Sequence, residues 1–544
     1  MKKTWFREGS VYQIYPRSFQ DSNSDGIGDL LGIISRIPYL QELGIDIVWL
    51  SPVYESPNDD NGYDISNYFD ILKEFGTLDQ MKQLIQKLHE ANIKLVMDLV
   101  VNHTSDEHPW FQKSVLKEKG FEDFYYWKKE KGNWTSFFGG DAWTYHPVRK
   151  EYYLHLFSKK QPDLNWNNPQ VRQEVKNICT FWLDLGVDGF RCDVINIIAK
   201  ADNLPNGKCS LALVGREHYL DNPKIHAYLQ ELKEDVFSKY DCFTVGETVL
   251  INPSSALSYI EESKRELDMV FQFEHMGADN YFVKWFMKKF KPQNLKKSLS
   301  KWQHGLLGKG WNSLYLENHD QPRSISRFGD MAFYDKSAKL LATMLYFQQG
   351  TPFIYQGQEI GMTNVSFEDL KDYQDIETKN IYKTGRKWHL SHKRMMKKIK
   401  MMSRDNARTP MQWNHLKNAG FSDCTPWIKV NPNYQEINVL SNENNPDSIL
   451  NYYKMILSLR KKHEIIVCGD YEDIEFYNRQ IYAYKRNYLK QELIVICNFS
   501  KKPLNVKQLI TLTNDECILH NYPLDSKDAM FRPYEARVYL KSKE

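Results

Sequence analysis

The sequence predicts an α/β protein built on a (β/α)8 barrel, with an inserted domain after the third strand and a C-terminal antiparallel β-domain. Three observations lead there. Eight short, almost wholly apolar runs recur along the chain. Amphipathic stretches long enough for helices lie between them. Polar and charged residues gather at the C-terminal ends of the runs, the edge that a barrel of this kind leaves open.

The runs fall at 11–15, 45–50, 95–101, 189–194, 243–245, 269–273, 313–316 and 353–355. A continuous apolar run, rather than an alternating one, is what a strand covered on both faces requires. Helical periodicity marks 78–91, 170–185 and 223–240. Two stretches break the alternation. From 104 to 170 the chain is irregular and rich in Trp, Tyr and Gly, an insertion after the third strand. Beyond about 464 the helical patterns stop, and short strands are expected at 474–477, 480–484, 493–499 and 537–540. The expected organisation is a barrel from 1–103 and 171–464, an inserted domain at 104–170 and a β-domain at 465–544. There is no internal repeat.

Lys and Arg number 72 against 69 Asp and Glu, so the net charge of +3 on 544 residues carries no footprint for nucleic acid or an anionic membrane. No apolar stretch approaches the roughly 18 residues of a membrane span. At the N-terminus, Arg7, Glu8 and Gly9 interrupt any secretory apolar region. The eight cysteines have no paired spacing and read as free thiols of a reducing compartment. A cytoplasmic location is expected.

The strand ends carry the chemistry. Asp98, Asn102 and His103 follow the third run, Arg191 and Asp193 the fourth, Glu247 the fifth, His319 and Asp320 the seventh. Cleaving a glycosidic bond with retention needs a carboxylate nucleophile and a carboxylic acid about 5–5.5 Å apart. Asp193 and Glu247 end adjacent strands and can face one cleft. Arg191, two residues before Asp193, shares its strand face and would keep that carboxylate ionised. Glu247 would instead hold a proton, favoured by burial and a neighbouring carboxylate. Asp320 is a third carboxylate, suited to the hydroxyls that tighten as the sugar ring flattens. His103 and His319 read as donors to sugar hydroxyls, since no metal-ligand spacing links them.

These residues resemble the α-amylase superfamily of glycoside hydrolases, in its oligo-1,6-glucosidase and α-glucosidase branch. The segments are Asp98-Leu-Val-Val-Asn-His103, Gly189-Phe-Arg-Cys-Asp193, Glu247, Asn318-His-Asp320 and Gln161-Pro-Asp-Leu-Asn165. Ser51-Pro-Val-Tyr, Asn58-Asp-Asp-Asn-Gly-Tyr-Asp64 and Arg404-Asp-Asn-Ala-Arg-Thr-Pro-Met-Gln-Trp413 extend the likeness over nearly the whole chain. The resemblance implies Asp193 as nucleophile, Glu247 as acid/base and Asp320 as transition-state stabiliser. It places Asp60, Tyr63, His103, Arg191, His319 and Arg404 around a terminal glucose, with Tyr63 stacked on the ring. An Asp60–Arg404 pair would close the pocket and make the enzyme exo-acting. The expected partner is a small oligosaccharide, with no nucleic acid, membrane or organic cofactor.

Linkage is read from neighbours of the carboxylates. Val194 resembles relatives that cut α-1,6 bonds, whereas Leu316, Glu317 and Thr248 depart from their usual residues near the leaving sugar. An α-1,6-glucosidase acting on isomaltose is expected. An α-1,4-glucosidase acting on maltose or sucrose and a trehalose-6-phosphate hydrolase are the alternatives, the latter needing a cationic phosphate pocket. Non-enzymatic transporter ectodomains of this fold lack the three carboxylates, and sucrose-isomerising relatives usually carry a secretion signal. Finally, Asp21-Ser-Asn-Ser-Asp-Gly-Ile-Gly-Asp29 has oxygens at alternate positions but Gly32 where an EF-hand has Glu. By spacing alone it is a calcium loop or an Asx-rich turn. The family likeness implies structural Ca²⁺ held by Asp21, Asn23, Asp25, Asp29 and the Ile27 carbonyl.

Overall fold

The computed structural model describes residues 3–542 apart from 211, 265, 282, 476, 508, 510–515 and 525–528. Eight parallel strands form its centre: β1 (Val11–Ile14), β2 (Ile47–Leu50), β3 (Lys94–Leu99), β4 (Gly189–Cys192), β5 (Phe243–Glu247), β6 (Met269–Phe271), β7 (Ser313–Leu314) and β8 (Thr351–Tyr355). They pair in the order β6-β5-β4-β3-β2-β1-β8-β7. A parallel bridge between Val270 and Asn312 joins β6 to β7 and closes the barrel. All eight expected runs are strands. Their side chains are buried throughout β1, β2, β4, β5, β6, β7 and β8, as a sheet lined inside and covered by helices demands.

The helices dock by their apolar faces. Leu78–Glu90 starts at a Thr77–Gln80 capping box and buries Met81, Leu84, Ile85 and Leu88. Pro169–Asp184 starts at Asn168 with Pro at its first position and buries Val171, Val175, Ile178 and Trp182. The expected helix at 223–240 is shorter, Lys224–Asp235, followed by a 3-10 turn at Phe237–Lys239. At the start of β4 a Cβ on Gly189 would lie 2.0 Å from the Phe243 carbonyl oxygen, so only glycine lets β4 approach β5 there. These are the strands that end at Asp193 and Glu247.

Between β3 and β4, strands Trp127–Lys128, Trp143–His146 and Glu151–Leu154 form a three-stranded antiparallel sheet. Its apolar cluster includes Trp134, Trp143 and Leu156 and continues into Val194 and Ile197 just beyond β4. The insertion is thereby packed on the segment that carries Asp193. At the C-terminus a five-stranded antiparallel sheet contains Glu472–Ile474, Ile481–Tyr488, Gln491–Asn498, Cys517–His520 and Ala536–Ser542. One short helix, Glu464–Cys468, persists beyond the point where helices were expected to stop. The strand expected at 474–477 falls earlier, and residue 476 lies outside the described residues. No described helix is long and apolar enough to cross a membrane. All eight cysteines are free thiols.

Candidate active site

Arg191 organises the mouth of the barrel. Its side chain projects from β4 into a wholly buried position, where Nη1 donates to Asp193 Oδ1 at 2.6 Å and also to Asp98 of β3. Its Nη2 lies 2.7 Å from Glu247 Oε2 at the end of β5. One guanidinium is thus divided among three carboxyl groups, which weakens the hold on Asp193 that was expected to keep it ionised. Burial pushes the Asp193 carboxyl up, Arg191 pulls it down, and the charges of Glu247 and Asp98 push it up again, leaving it well above the usual range. Burial likewise takes Asp98 up to about 6 against the same arginine. Crowding like charges on one cation favours the protonated form of Asp193 and Asp98.

Asp320 sits across the cleft, its N–H donated to Asn318 Oδ1 at 2.8 Å. Arg408 Nη2 reaches its Oδ1 at 2.7 Å and Arg404 Nη1 at 3.2 Å. Burial raises this carboxyl, but the charges of Arg404 and Arg408 outweigh burial and hold it below the carboxylate range. Burial also pushes His319 down to about 3. That ring is neutral at pH 7, and the two guanidinium groups are the standing charges. Arg404 Nη2 meets Asp60 Oδ1 at 3.2 Å and Asp375 Oδ1 at 2.6 Å. Burial takes Asp60 up to about 7, with Arg404 and Arg408 opposing.

These groups surround a cavity of about 250 Å³. Asp60, Tyr63, His103, Asp193, Glu247, Asp320 and Arg404 all line it. Arg191 and His319 stand behind that lining: the Tyr63 ring lies parallel to His319 within 4°, its hydroxyl 2.7 Å from Nε2. Sequence reasoning missed the outer wall, where Phe138, Phe157, Val249, Phe273, Lys284 and Glu377 contribute. Lys284 Nζ and Glu377 Oε2 pair at 2.6 Å. Neither residue ends a strand, so no positional signal marked them. Arg408 was findable, lying four residues beyond Arg404 in a quoted motif.

Three residues expected near the leaving sugar lie elsewhere. Leu316 is fully buried in the core. Glu317, 2% exposed, accepts from Ser324 N–H and Oγ at 3.3 and 3.0 Å and faces Arg323 at 3.7 Å. It is neither a rim charge nor a cleft residue. Thr248 donates its hydroxyl to the Phe271 carbonyl at 2.7 Å. Val194 and Val249 line the cleft instead.

The 21–29 loop is folded around its own oxygens. Asp21 accepts from the N–H groups of Asn23, Ser24 and Gly26, and Asp25 from that of Ile27. Asp29 caps the helix Leu30–Ser35 through the Gly32 N–H. Among the described residues no three His, Cys, Asp or Glu side chains are grouped as a metal site; the expected set would draw two of its five oxygens from Asn23 and the Ile27 carbonyl.

A carboxyl pair held on one cation, with a third carboxylate facing it at the C-terminal mouth of a barrel, is equipment for cleaving acetals. Residues 13–469 match the family model described as Alpha amylase, catalytic domain. The chain belongs to the α-amylase family and is a glycoside hydrolase. It is 53% identical over 557 residues to an oligo-1,6-glucosidase of Parageobacillus thermoglucosidasius, with 99% of each chain covered. The solved trehalose-6-phosphate hydrolase of Bacillus licheniformis superposes with a TM-score of 0.93 at 43% identity, covering 99% of this chain and 100% of that one. The isomaltulose synthase of Protaminobacter rubrum gives 0.94 at 37% identity, with 99% and 100% covered.

Proposed function

We propose that this enzyme releases terminal α-1,6-linked glucose from short oligosaccharides such as isomaltose, with retention of configuration. The observation that carries the mechanism is the pairing of Asp193 and Glu247 on the two arms of Arg191. Sharing one guanidinium brings both carboxyls to the same end of the cleft, where a nucleophile and an acid can serve one bond. Asp193 attacks the anomeric carbon while Glu247 protonates the departing glycosidic oxygen, giving a covalent glucosyl ester. Glu247 then takes a proton from water, which attacks the same carbon and frees Asp193. Asp320, kept anionic by Arg404 and Arg408, binds the hydroxyls as positive charge develops on the ring. The Asp60–Arg404 pair bounds the pocket and limits it to a chain end.

Val194 on the cleft wall and the full-length similarity to an oligo-1,6-glucosidase support the α-1,6 linkage. Similarity to a trehalose-6-phosphate hydrolase supports a second reading. Against it, the cations lining the cleft among the described residues, Lys284 and Arg404, are already paired with carboxylates. Incubation with isomaltose, maltose, sucrose and trehalose-6-phosphate, following free glucose, tests the choice. Isomaltose is expected to be cleaved fastest; preference for the phosphorylated sugar would overturn the reading.

Two further points belong to this proposal. The unbridged cysteines support a cytoplasmic location. The 21–29 loop takes structural Ca²⁺ through Asp21, Asn23, Asp25, Asp29 and the Ile27 carbonyl, a set of hard oxygen donors suited to that ion. It has no part in bond cleavage.

A further inference from the structure

His103 reaches the cleft, yet what decides its hydrogen-bonding role lies behind it. Asn102, Asp163 and Lys200 are all fully buried. Lys200 Nζ stands 2.7 Å from both Asp163 Oδ2 and Asn102 Oδ1. An ammonium group can only donate and a carboxylate can only accept. Asn102 must therefore present its oxygen to Lys200. Its amide nitrogen then faces Asp163 Oδ2 at 3.2 Å and His103 Nδ1 at 3.1 Å. Both contacts use the amide as donor, so its orientation is fixed from two sides. His103 Nδ1 must accept, and the neutral ring carries its proton on Nε2.

The surroundings of Nε2 agree. It lies 3.1 Å from the Tyr63 carbonyl oxygen, which can only accept. Gln161 Nε2 also approaches at 3.1 Å, but the Gln161 amide is oriented by Ser158 N–H donating to its oxygen at 3.0 Å. The two hydrogens of Gln161 have acceptors in Asp60 Oδ2 at 3.3 Å and the Tyr63 carbonyl at 3.4 Å. With the Asn102 amide donating to Nδ1 the ring does not take a second proton there, and burial holds its pKa down at about 4.

We propose that Lys200 and Asp163 are positioning residues that act through Asn102 to fix His103 as the Nε2–H tautomer, whose one proton is shared between the Tyr63 carbonyl and a sugar hydroxyl in the cleft. The sugar-binding part rests on the hydrolase reading above; the tautomer does not. Neither charged residue lines the cleft, so they reach substrate through Asn102 and His103 rather than by contact.

The direct test is the ¹⁵N spectrum of the protein labelled at histidine, with the His103 signals identified by their loss in His103→Gln. His103 is expected to show an unprotonated Nδ1 and a protonated Nε2; the reverse pattern overturns the proposal, whatever the enzyme hydrolyses. A second test replaces the ion pair by near-isosteric amides, Asp163→Asn with Lys200→Gln, which leaves the net charge unchanged. The new amide nitrogen at 163 would turn Asn102 around and present its oxygen to His103. The expected result is a reversed His103 tautomer and a KM for isomaltose raised about tenfold, the worth of one misdirected hydrogen bond. A folded double variant with unchanged tautomer and unchanged KM would show the ion pair to be merely structural. If the double variant does not fold, the wild-type spectrum alone decides.

Discussion

The main-chain N–H of Val194 donates to Glu247 Oε2 at 3.2 Å, so the residue after one cleft carboxyl holds the other. Val194 does this in a left-handed conformation, φ 36°, which is unfavourable for a β-branched residue and costs on the order of 1–3 kcal/mol. Its side chain belongs to the apolar cluster with Trp134, Trp143 and Leu156, and that packing offsets the strain. The insertion after β3 therefore helps to set how Asp193 and Glu247 face each other at the end of β4.

Trimming Val194 to alanine would keep the N–H but remove two methyl groups from the cleft wall. The isomaltose-to-maltose ratio of kcat/KM is expected to fall about tenfold, since a small apolar contact discriminates by that order. Initial rates on the two disaccharides measure it. An unchanged ratio would remove Val194 from the account of linkage preference.

Glu247→Gln removes the proton donor but keeps the shape. Hydrolysis of isomaltose should drop by about 10²–10⁴-fold. An aryl glucoside whose leaving group needs no protonation should lose far less in the bond-breaking step, seen as a burst of released phenol. Equal losses on both substrates would mean that Glu247 is not the acid.

Acidification should destabilise the fold through its buried histidines. His275 accepts at Nδ1 from Gln272 at 2.8 Å, bonds the Tyr315 carbonyl through Nε2 at 2.8 Å, and is pushed down to about 4 by burial. Unfolded chains protonate this residue below about 6.5 while the folded state does not, so stability is lost as pH falls from about 6.5 towards 4. Between pH 7 and 5 the His275→Gln variant should lose about 2 kcal/mol less than the wild type. Urea unfolding at the two pH values checks the difference.

Chelation bears on the 21–29 loop. Removing Ca²⁺ with a chelator should lower the unfolding temperature by several degrees, because a ligand bound only to the folded state stabilises it. The kcat of the protein still folded should be unchanged. Asp21→Ala should abolish the response to added Ca²⁺; an undiminished response would remove the ion from this loop.

Much of this was legible from residue pattern. The barrel strands stood out because burial on both faces leaves unbroken apolar runs such as Ile47–Leu50. Asp193, Glu247 and Asp320 stood out because charge directly after such a run has few structural uses. What escaped notice depends on side-chain direction and long-range folding. Leu316 and Glu317 lie four and three residues before Asp320 in sequence, yet their side chains leave the cleft. Lys284 and Glu377 meet at 2.6 Å across 93 residues, from segments with no strand pattern. The sharing of Arg191 among three carboxyls likewise needs the β3–β4–β5 register, in which Asp98 pairs with Arg191 and Arg191 with Val245.

Retention through Asp193 fixes which anomer of glucose is first released from isomaltose. Proton NMR recorded within the first minutes should show α-glucose appearing ahead of its equilibration with the β form, and Asp193→Asn should release almost none. Initial β-glucose, or an Asp193→Asn variant of near-normal activity, would contradict the double-displacement mechanism built on Asp193 and Glu247.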